Sequence, residues 1–144
     1  MIVEGDLFAD SAQAYVNPVN CVATMGAGIA AQFKARFPAY FTAYKAACWR
    51  REVEIGLMHV YFSGLDQPEY LISFPTKYHW RDASKLEYIR RGLLDLSTQA
   101  GQLGIKSLAI PALGCGLGGL EWADVRPLIE TSLQDFELHL YAPK

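Results

Sequence analysis

Hydrophobic and polar residues alternate in blocks along the chain, with short apolar runs separated by stretches of helical spacing. Apolar runs of strand length lie at 1–3, 14–20, 57–62, 70–74, 107–110 and 138–142. Apolar residues recur every three or four positions at 29–37, 40–51, 86–100 and 122–133. This alternation of strands and helices predicts an α/β domain with three layers, α/β/α, around a mixed central sheet.

Turn and breaker residues predict how the first half of the chain is divided. Pro38 either ends the first helix or begins the second. The turn at 63–68 joins the strands on either side of it into a hairpin. The segment that follows, 76–83, is polar and aromatic without any period, so we predict an exposed functional loop.

Capping signals predict the ends of the last two helices. The sequence Ser84-Lys85-Leu86-Glu87 has the pattern of a capping box at the start of the third helix. Gly101 and Gly104 mark the end of that helix. Pro127 is tolerated only near a helix start, which places the cap of the last helix at Asp124.

The composition describes one ordinary globular domain, spanning 1–144, with 51% hydrophobic and 19% charged residues. Because the chain stops just after its last strand, we expect that it can be one domain of a longer protein. Three cysteines without paired spacing do not form a disulfide framework, and no CxxC or HxxxH pair suggests a metal. No signal peptide or 18-residue apolar window is present. We therefore expect a soluble, cytoplasmic protein without a membrane partner, and a monomer by default.

The charge distribution leaves two interpretations open. A formal net charge of −2 argues against bulk affinity for nucleic acid. However, five basic residues lie within 34–51, where there is no acid, and five lie within 77–91, where only Asp82 and Glu87 oppose them. The clusters form either a local basic face or two solvated helix faces.

Two glycine-rich segments follow apolar strands and precede helical patterns, and they predict an anion site. They are Gly26-Ala27-Gly28-Ile29 and Gly114-Cys115-Gly116-Leu117-Gly118. Strand, glycine loop and helix in this order surround an anion with backbone N–H groups, and glycine permits close approach of the main chain. Two such loops can hold the two sides of one diphosphate, whereas flexible connections are the alternative. Both loops are predicted at the carboxyl edge of the sheet, where ligands bind.

Four motifs together resemble the macrodomain family. They are Gly5-Asp6-Leu7, Val16-Asn17-Pro18-Val19-Asn20, Gly26-Ala27-Gly28-Ile29-Ala30 and Gly114-Cys115-Gly116-Leu117-Gly118. The resemblance runs from Gly5 to Tyr141, nearly the whole chain. Within the family, the strand end at 16–20, the segment 74–81 and the loop at 114–122 look most like the DarG-like subgroup. That subgroup contains DNA ADP-ribosyl glycohydrolases that act as antitoxins, and it is related to terminal ADP-ribose protein glycohydrolase.

The resemblance implies a cleft above the sheet that binds ADP-ribose, with neither a cofactor nor a metal. By position, Asp6 accepts a hydrogen bond from the adenine amino group, with Leu7 beside it, and Asn20 binds the distal ribose hydroxyls. Asp6 can instead be only a turn residue, and Asn20 only a strand-end cap. Tyr141 stacks on adenine or packs at the sheet edge. The diphosphate lies between the backbone N–H groups of Gly26, Ala27, Gly28, Ile29, Gly114, Cys115, Gly116, Leu117 and Gly118. Cys115 is expected to be a small loop residue and not a nucleophile.

The resemblance makes Lys77 the catalytic residue of an ADP-ribosyl glycohydrolase. Such chemistry needs the neutral amine, so the lysine pKa must be lowered by burial or by neighbouring cations such as His79 and Arg81. The amine either attacks the aldehyde of the opened distal ribose to form a Schiff base or assists proton transfer during ring opening or to the leaving base. A solvated loop charge is the alternative for this residue.

The resemblance favours a hydrolase that removes ADP-ribose from a DNA base, with thymine as the expected base and single-stranded DNA as the expected substrate. A DNA ADP-ribosyltransferase toxin is then the expected partner. Stacking on aromatic rings suits single-stranded bases, and the expected DNA contacts are Tyr78, His79, Trp80 and Arg81. Trp80 can equally be a hydrophobic anchor for its loop.

Two positions depart from the family pattern and bear on the alternatives. Ala27 stands where many relatives of this subgroup have lysine, and Gly118 stands where the protein glycohydrolase has an aspartate. The missing aspartate weakens the alternative substrate, ADP-ribosylated acidic side chains of proteins. An ADP-ribose reader without catalysis and an ADP-ribose 1″-phosphate phosphatase remain further alternatives.

Overall fold

A five-stranded mixed sheet lies at the centre of the computed structural model, which describes residues 1–144. The strands are β1 (Ala14–Val19), β2 (His59–Phe62), β3 (Tyr70–Pro75), β4 (Ser107–Ile110) and β5 (Glu137–Leu140). The helices are α1 (Gly28–Arg36), α2 (Pro38–Trp49), α3 (Leu86–Gln102) and α4 (Trp122–Ser132), with a 3-10 turn at Leu7–Ala9. The spatial order is β2-β3-β1-β4-β5, and only β2 runs antiparallel to its neighbour.

The alternation of side chains along β1 divides the interior into two cores. Ala14 and Val16 face a core of 17 buried residues that includes the inner faces of α3 and α4. Tyr15 and Val19 face the opposite core, where 12 buried residues include the inner faces of α1 and α2. The molecule therefore has the three α/β/α layers that the sequence pattern predicts. Pro38 begins α2, and the β2–β3 pair forms the predicted hairpin.

The register of the sheet brings the functional loops to one edge. β1 pairs in parallel with β3 up to the pair Val19–Pro75, and with β4 on its other side. Since β5 is also parallel to β4, four strands end at the same edge. The segments that leave this edge contain both glycine loops and the loop at 76–83.

The predicted capping box at the start of α3 is wrong. The N-cap of the helix is Lys85, which makes no side-chain capping bond. The Ser84 hydroxyl is buried without a partner, and the Ser84 N–H donates to the Gly118 carbonyl at 2.9 Å. Glu87 pairs instead with Arg90 at 2.6 Å. Packing of Ser84 against the second glycine loop therefore replaces the local capping interaction.

The predicted cap of the last helix at Asp124 is also wrong, because α4 begins at Trp122 with Glu121 as its N-cap. Pro127 consequently lies inside the helix. Proline has no backbone N–H, so the helical hydrogen bond to the Ala123 carbonyl, four residues earlier, is not formed. Both residues lie on the exposed face of α4, where water can satisfy that carbonyl.

Five of the six predicted strands have boundaries that differ from those in the structure, β1 and β3 by one residue each. The segment 1–3 is not a strand of the sheet: it forms one parallel bridge, Ile2–Leu140, supported by a bond of 2.8 Å from the Val3 N–H to the Leu140 carbonyl. Strand β2 begins two residues later than predicted, and β5 is shifted toward the N-terminus. Leu86, the first residue of the apolar pattern at 86–100, is exposed. No helix has both the length and the apolar character needed to cross a bilayer.

Candidate active site

A cleft of about 770 Å³ opens above the carboxyl ends of the parallel strands. Its volume is within the range of small-molecule sites. Most of the residues predicted to bind ligand or to act in catalysis line it: Asp6, Leu7, Asn20, Gly26, Ala27, Gly28, Ile29, Lys77, Trp80, Gly114, Cys115, Gly116, Leu117, Gly118 and Tyr141. Tyr78, His79 and Arg81 do not line the cleft. Residues that are far apart in sequence therefore meet in one place, while their individual roles in binding remain predictions.

The first glycine loop ends at the N-terminus of α1, where backbone donors are free. Ala27 is the N-cap and provides no side-chain acceptor. The N–H groups of Gly28, Ile29 and Ala30 have no hydrogen-bond partner within the chain. Gly28 has φ of +57° and no atom within 4 Å of the position of a Cβ, so the main chain is open to the cleft. This helix end favours a bound anion.

The second glycine loop offers a matching set of donors. A bond of 2.9 Å from the Leu120 N–H to the Gly114 carbonyl closes the loop. Within it, the N–H groups of Gly116, Leu117 and Gly118 have no partner in the chain. Consecutive free N–H groups in a tight turn form an anion-binding concavity. The two loops thus present backbone donors to the same cleft.

Asn20 follows β1 and is held almost entirely by the protein. Its Oδ1 accepts from the Val22 N–H at 3.0 Å and the Thr24 N–H at 3.4 Å, and it lies 3.0 Å from the Tyr44 hydroxyl. Its Nδ2 donates to the Thr24 carbonyl at 2.9 Å. One Nδ2 hydrogen remains for a ligand, because a side-chain amide has two. Asn20 is therefore a strand-end cap that retains a single donor toward the cleft.

Backbone bonds to the end of β1 fix the position of Lys77. The Thr76 N–H donates to the Val19 carbonyl at 2.9 Å, and the Cys21 N–H donates to the Tyr78 carbonyl at 2.8 Å. The lysine between them is half-buried, and its Nζ donates to the Trp80 carbonyl at 3.2 Å. A protein carbonyl is the only hydrogen-bond partner of this amine, which leaves its other hydrogens for the cleft.

The residues after Lys77 form a tight turn that keeps His79 away from the cleft. The His79 N–H donates to Asp82 Oδ2 at 3.1 Å, and its ring Nδ1 accepts from the Arg81 N–H at 3.3 Å. The His79 ring lies 5.0 Å from the Trp80 ring. The expectation that His79 and Arg81 lie beside the Lys77 amine finds no support in the structure, because neither side chain contacts Nζ, and the His79 ring accepts from the Arg81 N–H within the turn.

At the opposite end of the cleft, Asp6 has the turn role weighed from the sequence, and its contact with adenine stays a prediction. Its Oδ1 accepts from the Phe8 N–H at 3.0 Å and caps the 3-10 turn. Its Oδ2 lies 3.9 Å from the Arg36 guanidinium and has no closer partner. Leu7, which follows it, is buried under the cleft floor. The Oδ2 atom is thus available to accept from a ligand amine.

A buried polar network below this end of the cleft was missed by the sequence reasoning. Asp10 accepts from the Tyr141 hydroxyl and contacts His139 Nδ1 at 2.6 Å, while His139 Nε2 lies 3.0 Å from a Glu137 oxygen. Burial opposes the charges, but the hydrogen bonds outweigh it. They lower the pKa of Asp10 and raise that of His139. Asp10 and Tyr141 are 131 positions apart, so no local pattern reveals their contact.

The three cysteines are free thiols, and none has an activated environment. Burial raises the pKa of Cys115, with a smaller contribution from Glu121. Burial likewise raises the pKa of Cys48, and it raises that of Cys21 to about 12. No group of three or more His, Cys, Asp or Glu side chains is arranged to hold a metal ion. The catalytic role of Lys77, which lines the cleft, stays a prediction.

Comparison with known proteins identifies relatives with the same architecture. The family model described as Macro domain matches residues 16–129. The DNA ADP-ribosyl glycohydrolase of Mycobacterium tuberculosis is 50% identical over 143 residues, which cover 96% of this chain and 41% of that protein. A DNA ADP-ribosyl transferase-DNA ADP-ribosyl glycohydrolase fusion protein of Thermosipho africanus is 37% identical over 160 residues, covering 99% of this chain and 41% of that protein. The chain thus spans about two fifths of the length of these two curated relatives.

Solved structures give the same result in three dimensions. The macrodomain of Mycobacterium tuberculosis DarG superposes with a TM-score of 0.96 at 49% identity, covering 100% of this chain and 99% of that one. The structure of Thermosipho africanus DarTG in complex with ADP-ribose superposes with a TM-score of 0.91 at 37% identity, covering 99% of this chain and 41% of that one.

Proposed function

The chain belongs to the Macro domain family, and we propose that it is a hydrolase that removes ADP-ribose from ADP-ribosylated DNA, with thymidine as the modified nucleoside. We base this on one observation: a single cleft holds the amine of Lys77 together with two sets of free backbone N–H groups. Relatives named DNA ADP-ribosyl glycohydrolase, at up to 50% identity, support the choice of reaction and substrate.

The distribution of donors and acceptors along the cleft supports one orientation of the ligand. The diphosphate lies between the N–H groups at 28–30 and those at 116–118, which surround it from two sides. The adenine lies toward Asp6 Oδ2, which accepts from its amino group, and toward the ring of Tyr141. The distal ribose lies toward the remaining Nδ2 hydrogen of Asn20 and toward Lys77. Binding of ADP-ribose by a solved relative at 37% identity supports this ligand.

The proposed reaction hydrolyses the bond between the anomeric carbon of the distal ribose and a nitrogen of the base. Water supplies a hydroxyl to the anomeric carbon and a proton to the base nitrogen, so that unmodified DNA and ADP-ribose are released. Lys77 can donate a proton to the leaving base or to the ring oxygen during opening. Alternatively, its neutral amine adds to the aldehyde of the opened ribose, and water later hydrolyses the imine. Both routes are compatible with the bond from Nζ to the Trp80 carbonyl, because that bond uses only one hydrogen of the amine.

The rim of the cleft beside Lys77 is apolar and exposed, which suits a nucleobase. Trp80 is 54% exposed and Leu117 is 81% exposed, and both also line the cleft. We assign Trp80 to the modified base, since stacking of a base on an aromatic ring contributes roughly 1–3 kcal/mol. Tyr78, His79 and Arg81 lie outside the cleft, where they can contact only the rest of the DNA strand.

The alternative substrate, an ADP-ribosylated acidic side chain of a protein, is disfavoured by the space around Gly118. A Cβ at this position would overlap the Ser84 hydroxyl and would lie 2.6 Å from the Gly114 carbonyl. A carboxylate side chain cannot be accommodated there without moving the loop. The chemistry of this chain must therefore proceed without an acid at this point, as the lysine-centred reaction does.

We also propose a DNA ADP-ribosyltransferase as the biological partner, acting as a toxin that this domain opposes. The support is the Thermosipho africanus relative, whose name joins a DNA ADP-ribosyl transferase and a DNA ADP-ribosyl glycohydrolase in one fusion protein. Such a pair is chemically consistent, since the transferase makes the substrate that the hydrolase consumes.

The proposal is tested with a DNA oligonucleotide that carries ADP-ribosyl-thymidine, incubated with the wild type and with Lys77→Ala. We expect the wild type to restore unmodified DNA on a denaturing gel, and the variant to lose at least 100-fold in rate. Binding of free ADP-ribose, measured by calorimetry, should remain within a few-fold for the variant. Lys106→Ala, which removes an exposed amine before β4, is the matched control and should behave as the wild type.

Other outcomes identify the alternatives. Tight ADP-ribose binding without turnover of DNA or of ADP-ribosylated protein indicates a reader module. Release of inorganic phosphate from ADP-ribose 1″-phosphate indicates a phosphatase. Turnover that is unchanged in Lys77→Ala contradicts the catalytic assignment of the lysine but leaves the DNA substrate in place.

A further inference from the structure

The segment that carries Lys77 has two sides with different surroundings. Lys77 and Trp80 line the cleft, whereas Tyr78 lies outside it and is 50% exposed. On that outer side, the Tyr78 ring meets the ring of Tyr88, from the first turn of α3, with centroids 5.7 Å apart. The loop therefore separates the cleft from a second aromatic surface on the flank of the molecule.

The geometry of the tyrosine pair leaves a ring face of Tyr78 free. The two rings are inclined at 81°, so they meet edge to face and not in a parallel stack. An edge-to-face contact covers at most one face of either ring. The Tyr78 ring thus offers an exposed aromatic face next to the mouth of the cleft, where an unpaired base can stack.

Two basic residues that are close in sequence to this pair form no salt bridge. Lys85 Nζ lies 5.6 Å from the centroid of the Tyr88 ring, and neither Lys85 nor Arg81 has a carboxylate within 4.0 Å. By contrast, Arg90 farther along α3 is paired with Glu87 at 2.6 Å. Free cations beside an exposed ring are the combination by which proteins bind a single-stranded nucleic acid without reading its sequence.

Tyr78 is also held rigidly relative to Lys77. Its carbonyl accepts from the Cys21 N–H at 2.8 Å, and its Cα is about 3.8 Å from that of Lys77. Because Tyr78 directly follows Lys77, a base stacked on the Tyr78 ring would lie on the same short segment that carries the catalytic candidate. We propose that Tyr78, Tyr88, Lys85 and Arg81 form a flanking-nucleotide subsite, which binds the nucleotide adjacent to the modified one. This subsite rests on the proposed DNA substrate.

The test compares two substrates that differ only in flanking DNA: ADP-ribosylated thymidine and a single-stranded oligonucleotide that contains it. We expect Tyr78→Ala to raise KM for the oligonucleotide about tenfold or more, and to leave KM for the nucleoside unchanged. Tyr78→Phe keeps the ring and should retain the wild-type KM. Lys85→Gln should reduce the slope of log KM against log salt concentration by about 0.7 for the oligonucleotide only.

A matched control is available on the far side of the sheet. Phe62 is 61% exposed and meets the Tyr70 ring edge to face at 5.6 Å, but lies on the edge strand β2 away from the cleft. Phe62→Ala should leave both substrates unaffected. A Tyr78→Ala variant that loses both substrates equally, or neither, overturns the subsite. Absence of wild-type turnover on both substrates overturns the proposed function itself and the subsite with it.

Discussion

Ser84 and Gly118 lock the start of α3 to the second glycine loop. The Ser84 N–H donates to the Gly118 carbonyl at 2.9 Å, and the Ser84 side chain occupies the space next to the Gly118 Cα. The hydroxyl of this serine is buried without a hydrogen-bond partner, so its contribution is to fill volume. The contact fixes the loop in the conformation that leaves three consecutive N–H groups free for an anion.

Gly118→Ala should disrupt ligand binding. The added methyl group would overlap the Ser84 hydroxyl and crowd the Gly114 carbonyl, so the loop must shift. Overpacking of this kind costs about 1–3 kcal/mol, and we expect a lower Tm together with at least tenfold weaker binding of ADP-ribose in calorimetry. Gly116→Ala is the control, because no atom lies within 4 Å of its Cβ position. Equal affinities for the two variants would show that the loop adapts freely.

Tyr44→Phe should weaken ADP-ribose binding without touching the ligand. The Tyr44 hydroxyl donates at 2.8 Å to the Asn20 carbonyl and lies 3.0 Å from its Oδ1. Removal of this hydroxyl costs about 1–3 kcal/mol of stability, because the buried oxygens of Asn20 lose their donor. The Asn20 side-chain amide, which we place on the distal ribose, is then held less firmly. Tyr40→Phe is the matched control, because the Tyr40 hydroxyl is equally buried but contacts Ser73 and Asn17. Both variants should lower Tm, and only Tyr44→Phe should raise the Kd.

The periodic features of the sequence predicted the fold because local pattern and tertiary packing agree there. The inner faces of the helices follow the apolar spacing almost completely, with Val125 and Ile129 of α4 buried as expected. The macrodomain resemblance and its DarG-like branch are confirmed by the family match and by the relatives. The glycine loops and Lys77 come together because each follows a strand that ends at the same edge of the sheet.

The predictions that were wrong concern places where a tertiary contact outweighs a local rule. Ser84 has a capping sequence, but its packing under Gly118 directs the side chain away from the helix end. Pro127 was expected to set a helix start, yet an exposed carbonyl makes its interior position tolerable. The Asp10–His139 pair joins residues 129 positions apart, and sequence spacing contains no signal for it.

The Asp10–His139 pair predicts a pH-dependent stability. Since the folded pKa of His139 is raised above the unfolded value of about 6.5, its contribution is present below that pH and is lost as pH rises through the folded pKa. The pKa of Asp10 is lowered in the folded state, so the contribution of Asp10 to stability is lost as pH falls and the carboxylate is protonated. The Tm difference between wild type and His139→Gln should therefore shrink from pH 6 to pH 8.5.

The stability of the wild type must be compared with that of a variant, because a second histidine, His59, changes stability with pH in the opposite sense. Burial lowers the pKa of His59, which destabilises the fold when acid charges it. That contribution is common to wild type and to His139→Gln, so the Tm difference isolates His139. Asp10→Asn removes the partner and should remove most of the pH-dependent difference; a difference that stays constant with pH would contradict the pairing.

The last prediction concerns Cys115, which lies in the second glycine loop and has a nucleophilic side chain in an environment that does not activate it. Burial raises the pKa of this thiol, as it raises that of Cys21 to about 12. At neutral pH the reactive thiolate is correspondingly scarce. We expect iodoacetamide at pH 7 to modify all three cysteines more than tenfold more slowly than it modifies glutathione, as measured by intact mass, with turnover retained. Unfolding in denaturant should restore rapid labelling. Fast modification of Cys115 in the folded protein, with parallel loss of turnover, would indicate that this thiol, and not Lys77, is the nucleophile.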